Sequence, residues 1–86
     1  MLSSIDVIKI MLTMRKINND LADEVEYIST TDDLTTGRFT VDELINIYEL
    51  ADSLSKILQN SKRDYYEYIA ICEAIKVRAE FILIKL

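Results

Sequence analysis

The near absence of helix-breaking residues is the feature that most constrains this chain. Its 86 residues contain no proline and a single glycine, Gly37, so little in the sequence interrupts a helix. Apolar residues instead recur at the three- and four-residue spacing that places them on one side of a helix. The sequence therefore predicts an all-α domain whose breaks come from capping residues and turn-forming segments.

A long first helix is predicted over about residues 4–28. Ser3 and Ser4 are both competent N-caps, and a wide apolar stripe follows them and fades near the end of this range. The segment 29–40 then holds serine, threonine, aspartate and the only glycine, residues that are typical of turns. We expect this segment to be a loop.

The second helix, predicted over about residues 41–60, has the clearest start signal in the chain. Thr40 and Glu43 have the spacing of a capping box. In that motif the hydroxyl accepts a hydrogen bond from the N3 amide, and the carboxylate reaches back to the N-cap amide. An apolar stripe follows and stops near Asn60.

The third helix is predicted over about residues 62–86. Ser61 would be its N-cap, with Asp64 in the N3 position as a weaker version of the same box. Three helices joined by one longer loop and one tight connection predict an up-down-up bundle with long first and third helices. A chain of this size buries only about 60–65% of its unfolded surface, so we expect dimerisation to complete the fold.

The third helix is apolar on two sides, which a monomeric three-helix bundle does not require. A helical wheel gives it one wide stripe for the core and a second, narrower stripe separated from the first by charges. The members of the second stripe are Tyr66, Ala70, Ala74, Val77, Phe81 and Ile84. We expect this stripe to contact another protein or a second copy of the chain.

A smaller apolar surplus stands at the start of the first helix. Ile5, Ile8 and Leu12 lie away from its main stripe, and in an up-down-up bundle they come near the start of the third helix. One interpretation joins them with Tyr65, Tyr66 and Tyr68 in an aromatic interface patch, since tyrosine is enriched at interfaces. The other interpretation is that the tyrosines cover the end of the core.

Charge is distributed unevenly along the chain. The formal net charge is −5, which argues against direct nucleic-acid binding because such affinity depends on neutralising phosphates. Residues 17–55 hold ten acidic residues and one arginine, a local charge of −9. Among them, Asp23, Glu24 and Glu26 oppose the dipole of the first helix near its end. This conflict predicts an acidic partner-binding surface; the alternative is a solvated surface that only aids solubility.

The residues needed for several kinds of chemistry are missing. There is no histidine and one cysteine, Cys72, so the chain offers no Ser-His pair, internal disulfide or Cys/His zinc site. No glycine-rich phosphate loop occurs, and no apolar run approaches the roughly 20 residues that span a bilayer. We expect no catalytic, cofactor or metal site and no membrane contact. The N-terminus resembles no signal peptide, which favours a cytoplasmic location.

These observations predict a small non-enzymatic regulator or inhibitor that binds another protein through its helices. An isoleucine-rich composition without proline suits an AT-rich genome, such as that of a low-GC bacterium, its phage or an archaeal virus. One alternative is a structural subunit that assembles into a helical homo-oligomer. A further alternative is an acidic mimic of DNA, although mimics usually carry more acidic residues than this chain.

Overall fold

A computed structural model describes residues 3–30 and 37–86 of the chain. Three helices account for all the regular secondary structure in these residues: α1 (Ser4–Thr30), α2 (Val41–Gln59) and α3 (Tyr66–Lys85). The predicted all-α fold is thus confirmed. Residues 31–36, which form most of the predicted loop, lie outside the described residues.

Local hydrogen bonds define where α1 and α2 begin. At α1 the Asp6 amide donates to Ser3 Oγ over 3.1 Å, and the Ser3 amide donates to Asp6 Oδ2 over 3.2 Å. At α2 the Glu43 amide donates to Thr40 Oγ1 and the Thr40 amide donates to Glu43 Oε1, each over 3.1 Å. The predicted capping box of α2 is therefore confirmed.

The predicted start of α3 is wrong by about one helical turn. Instead of capping a helix, Ser61 Oγ accepts a hydrogen bond from the Arg63 amide over 3.2 Å. Asp64 Oδ1 likewise accepts from the Tyr66 amide over 3.1 Å. These bonds to the second residue along the chain give the backbone an alternative to the helix, and α3 begins only at Tyr66.

A single core joins the three helices. The distances between the helix backbones are unequal. Helix α3 packs closely along both α1 and α2, whereas the backbones of α1 and α2 stay further apart. Side chains fill the space between them. The buried apolar residues are Val7, Met11, Met14, Leu21, Ile28, Leu44, Ala51, Leu54, Leu58, Cys72, Ile75, Ala79 and Ile82.

Contacts between the helices give their relative directions. The start of α1, around Ser4, lies beside the α2–α3 connection, while Glu24 near the other end of α1 meets Arg38 just before α2. Asp52 of α2 lies 2.8 Å from Lys76 of α3, between Nζ and Oδ1. These contacts are compatible with the up-down-up order. Within the described residues, no helix is both long and apolar enough to cross a membrane.

Candidate protein-binding surfaces

One side of α3 is apolar and faces away from the core. The buried residues of α3 are Cys72, Ile75, Ala79 and Ile82, and at about 100° per residue the second predicted stripe falls on the opposite side. We call this stripe the outer face of α3; its members are Tyr66, Ala70, Ala74, Val77, Phe81 and Ile84. Tyr66, Val77 and Ile84 keep 77%, 67% and 74% of their surface exposed. Ala70 is exposed, while Ala74 and Phe81 are half-buried, and Phe81 also packs in part against the core.

A charged network on one side of α3 connects it to α2. Lys76 Nζ lies 2.8 Å from Asp52 Oδ1 and 3.1 Å from Glu73 Oε2, and Lys56 Nζ lies 3.0 Å from Asp52 Oδ2. Hydrogen bonds from Lys76 and then Lys56 lower the pKa of Asp52, and those to Asp52 and then Glu73 raise the pKa of Lys76. Lys76 is therefore turned toward α2. Sequence reasoning missed its pairing with Asp52, because nothing local links residues 24 positions apart.

With Lys76 engaged, the two borders of the outer face carry opposite charge. Glu73 and Glu80 stand exposed on one border. Arg78 and Lys85 stand on the other, where Arg78 Nη1 donates a hydrogen bond to Asn18 of α1. Lys85 Nζ lies 5.5 Å from the centre of the Phe81 ring, close enough for a cation–π contact. Between residues 73 and 85, an acidic border and a basic border thus flank the apolar stripe.

The structure separates the three tyrosines that one sequence interpretation joined. The Tyr65 and Tyr68 rings stack at 5.7 Å with an interplanar angle of 15°, and both pack against the core. Arg15 of α1 lies 5.7 Å from the Tyr68 ring centre. Tyr66 instead belongs to the outer face of α3. Two of the tyrosines therefore cover the core, as the second interpretation held.

The apolar residues at the start of α1 are exposed. Ile5, Ile8 and Leu12, which we call the α1 patch, keep 65%, 50% and 61% of their surface open. Their spacing of three and four residues places them on one side of the helix. The α1 patch is a second apolar surface, on a different helix from Tyr66.

The acidic residues near the end of α1 do not form one exposed surface. Glu24 is only 3% exposed, and its Oε2 accepts a hydrogen bond from the Arg38 amide over 3.2 Å. Asp23 lies 3.8 Å from the Arg38 guanidinium, both side chains being well exposed, and Glu26 is exposed. The expected exposure of Glu24 is thus not found. Its spacing from Leu21 and Ile28, three and four residues, could have indicated burial.

Other acidic residues of the −9 segment are engaged in local structure. Glu43 belongs to the capping box, and Asp52 is bound by two lysines. Asp32 and Asp33 lie outside the described residues. The acidic surface open to a partner is therefore smaller than the charge count suggests.

A shallow apolar groove between α1 and α2 was not anticipated. It encloses about 360 Å³ and is lined by Ile10, Thr13, Met14, Leu50, Ser53, Leu54 and Ile57. Leu50 and Ile57 keep 51% and 54% of their surface exposed. On a helical wheel, Leu50 and Ile57 lie at the edge of the apolar stripe of α2, and this position could have indicated the groove. The backbones of α1 and α2 are further apart than those of the other helix pairs, so this edge stays uncovered.

Cys72 is a packing residue. It is fully buried in the core, and burial, followed by the charge of Glu73, raises the pKa of its thiol to about 11. A thiol with such a pKa is protonated near neutral pH and is a poor nucleophile. Among residues 3–30 and 37–86, no group of three or more Cys, Asp or Glu side chains is placed to hold a metal ion.

Comparison with known proteins adds no identification. No family model matches the chain, and neither a curated protein nor a solved structure matches it.

Proposed function

We propose that this chain is a small non-enzymatic regulator that acts by binding protein through the outer face of α3. The observation that carries this proposal is the exposure of Tyr66, Val77 and Ile84 on the side of α3 opposite the core. Large apolar side chains grouped on one exposed surface are typical of interaction sites. Scattered single residues would need no such explanation.

The energetics of the outer face favour a protein as its partner. Burying a side chain the size of valine or isoleucine contributes roughly 1.5–3 kcal/mol, and the Tyr66 ring can bury area while its hydroxyl stays hydrated. The face lies on a helix already fixed by the core, so binding requires little additional ordering of the backbone. A helix face of this kind suits a helical or grooved protein surface.

A second candidate function is assembly into a homo-oligomer. The opposite charges on the two borders of the outer face favour it, because charges at such positions set partner choice in paired helices. The DNA-mimic alternative has less support. Glu24 is buried and Asp52 is bound by lysines, which leaves fewer carboxylates to imitate a row of phosphates.

Affinity capture from the native host, read by mass spectrometry, tests the protein-binding role. The bait pair is the wild-type chain and the double variant Val77→Glu/Ile84→Glu, which places two charges on the outer face of α3. We expect the variant to lose the proteins that the wild type retains, since burying an unpaired charge in an interface is costly.

A matched control separates this effect from general surface disturbance. Val41 and Ile45 of α2 are 49% and 40% exposed, so Val41→Glu/Ile45→Glu makes the same chemical change on another helix. We expect this control to retain its partners and both double variants to keep wild-type helicity by circular dichroism. Equal capture by the two double variants would contradict binding through the outer face.

A further inference from the structure

We infer, on the basis of the proposed protein-binding role, that the outer face of α3 binds the same face of a second copy, with the two helices parallel and in register. The positions of charge around the apolar stripe favour a second copy as the partner. A foreign partner would need complementary charges of its own. This helix already carries both halves of the complementary pattern.

The outer face fits a heptad repeat, the seven-residue pattern of paired helices. Ala70, Val77 and Ile84 recur every seven residues and occupy its d positions. Ala74 and Phe81, three residues before d, occupy the a positions. Positions a and d form the seam between two helices, and these five residues, with Tyr66 at a g position beside them, are the apolar residues of the outer face. The core of the bundle covers the other side of α3, so one open side remains for a single partner helix.

The border residues then fall on the positions that contact the partner helix. Glu73 and Glu80 occupy g positions, and Arg78 and Lys85 occupy e positions. In a parallel pair, each g residue meets the e residue five positions later on the partner helix. Glu73 therefore meets the second copy of Arg78, and Glu80 meets the second copy of Lys85. Twofold symmetry repeats both attractive pairs.

The antiparallel arrangement of the same faces is disfavoured. There g meets g and e meets e, so glutamates of one copy would approach glutamates of the other in one register, and basic residues would approach basic residues in another. Like charges facing each other across a helix pair destabilise it. The charge pattern thus selects a parallel pair, and its ion pairs bracket the larger apolar residues Val77, Phe81 and Ile84.

The border side chains can make these contacts in the observed fold. The Arg78 guanidinium has five N–H donors, of which the bond to Asn18 uses one. Glu80 forms no ion pair with another described residue, and Glu73 is 47% exposed beside Lys76. Glu67, at the first a position, is the one unfavourable residue of the seam, since two copies would bring like charges together. It lies in the first turn, where an acid also favours the helix dipole.

Disulfide trapping tests both self-association and direction. Ala70→Cys and Ile84→Cys each place one thiol on the outer face, at opposite ends of the seam. In the parallel pair the introduced cysteine lies beside the same cysteine of the second chain. Each variant alone should therefore form a covalent dimer under mild oxidation at micromolar concentration. In the antiparallel pair, residue 70 of one copy lies near residue 84 of the other. Cross-linking would then occur only when the two variants are mixed.

The wild-type chain is the control for trapping. Cys72 is buried with a raised thiol pKa, so the wild type should stay uncross-linked under the same oxidant while light scattering shows a dimer. Trapping only in the mixture would overturn the parallel register. Monomeric scattering without trapping would overturn self-pairing, and the capture experiment with Val77→Glu/Ile84→Glu would still decide the protein-binding role separately.

Charge exchange provides a second measurement. Glu80→Lys alone places two basic borders together, and Lys85→Glu alone places two acidic borders together. Each should weaken the dimer about tenfold, because two exposed attractive pairs become repulsive. Mixing the two variants restores both attractive pairs, so the heterodimer should regain wild-type affinity in sedimentation. A mixture as weak as either variant alone would contradict the pairing of Glu80 with Lys85.

Discussion

Removing the Thr40 hydroxyl is the most direct test of the start of α2. Thr40 Oγ1 accepts the Glu43 amide hydrogen over 3.1 Å, and the return bond from the Thr40 amide to Glu43 Oε1 has the same length. Thr40→Ala leaves the Glu43 amide without its acceptor. Because Thr40 is exposed, water replaces part of the lost bond, so we expect a cost of about 1 kcal/mol, within the usual range for N-caps.

Thermal and urea unfolding followed by far-UV circular dichroism measure this cost. For a domain of this size, about 1 kcal/mol corresponds to a lower melting temperature by roughly 4–8 °C. All variants should be compared at one protein concentration, because self-association would make the midpoint concentration-dependent. Thr13→Ala is the matched control, since Thr13 is exposed within α1 and caps no helix. Its stability should be equal or higher, given the greater helix propensity of alanine.

A double-mutant cycle with Glu43→Ala tests the reciprocal nature of the box. If the two side chains act together, the double variant should lose less than the sum of the single variants. Unchanged unfolding of Thr40→Ala would refute the assignment of the helix start. Strict additivity would refute the coupling between the two bonds.

Substitutions of charged residues test the packing of the bundle and the proposed seam. Glu24→Lys should lower the free energy of unfolding by roughly 2–4 kcal/mol, because it buries an unpaired cation. Glu26→Lys, at an exposed site near the end of α1, should leave the free energy of unfolding unchanged or slightly higher. Urea unfolding midpoints of the two variants measure the difference. Since its partners lower the pKa of Asp52, the stabilisation by its pairing with Lys76 should be complete above the unfolded value of about 3.8 and be lost as pH falls through the lower folded value. The difference in urea midpoint between wild type and Asp52→Asn should therefore shrink from pH 7 to pH 3, and a constant difference would contradict the pairing. Glu67→Leu should tighten the α3 pair in sedimentation, because it replaces the charged residue of the seam; weaker association would contradict the heptad assignment.

Features that depend on neighbouring positions in the chain could be predicted from the sequence. The capping box needs only Thr40 and Glu43, and the two faces of α3 follow from residue spacing on one helix. The start of α3 also depends on neighbouring residues, yet its predicted position is wrong. Helix capping competes there with hydrogen bonds that hold the backbone in turns. Ser61 and Asp64 each accept a hydrogen bond from the amide two residues later, and the turn prevails.

Features that depend on how helices pack could not be obtained in the same way. The charge of Glu24 suggested exposure, but its position beside Leu21 and Ile28 places it against the segment around Arg38. The open groove arises because α3, and not α1, is the close neighbour of α2. Helical periodicity gives the direction in which a side chain points around the axis of its own helix. It does not give the distance to the next axis.

The unequal packing of the helices also has a consequence for the order of folding. Asp52 and Lys76, which join α2 to α3, are 24 residues apart, whereas Asn18 and Arg78, which join α1 to α3, are 60 apart. Closing the longer loop costs roughly 0.8 kcal/mol more in chain entropy. We expect the α2–α3 hairpin to form first and α1 to dock onto it last.

Undocking of α1 should then be the lowest-energy partial opening of the folded protein. In native-state hydrogen exchange, the amides of α1 would exchange through this opening while those of α2 and α3 wait for global unfolding. Each such opening uncovers the methionines of α1, Met11 and Met14, which are otherwise 1% exposed. A pulse of methionine oxidant should therefore modify these two side chains faster than global unfolding allows. Their rate of modification then measures how often α1 undocks from the other two helices.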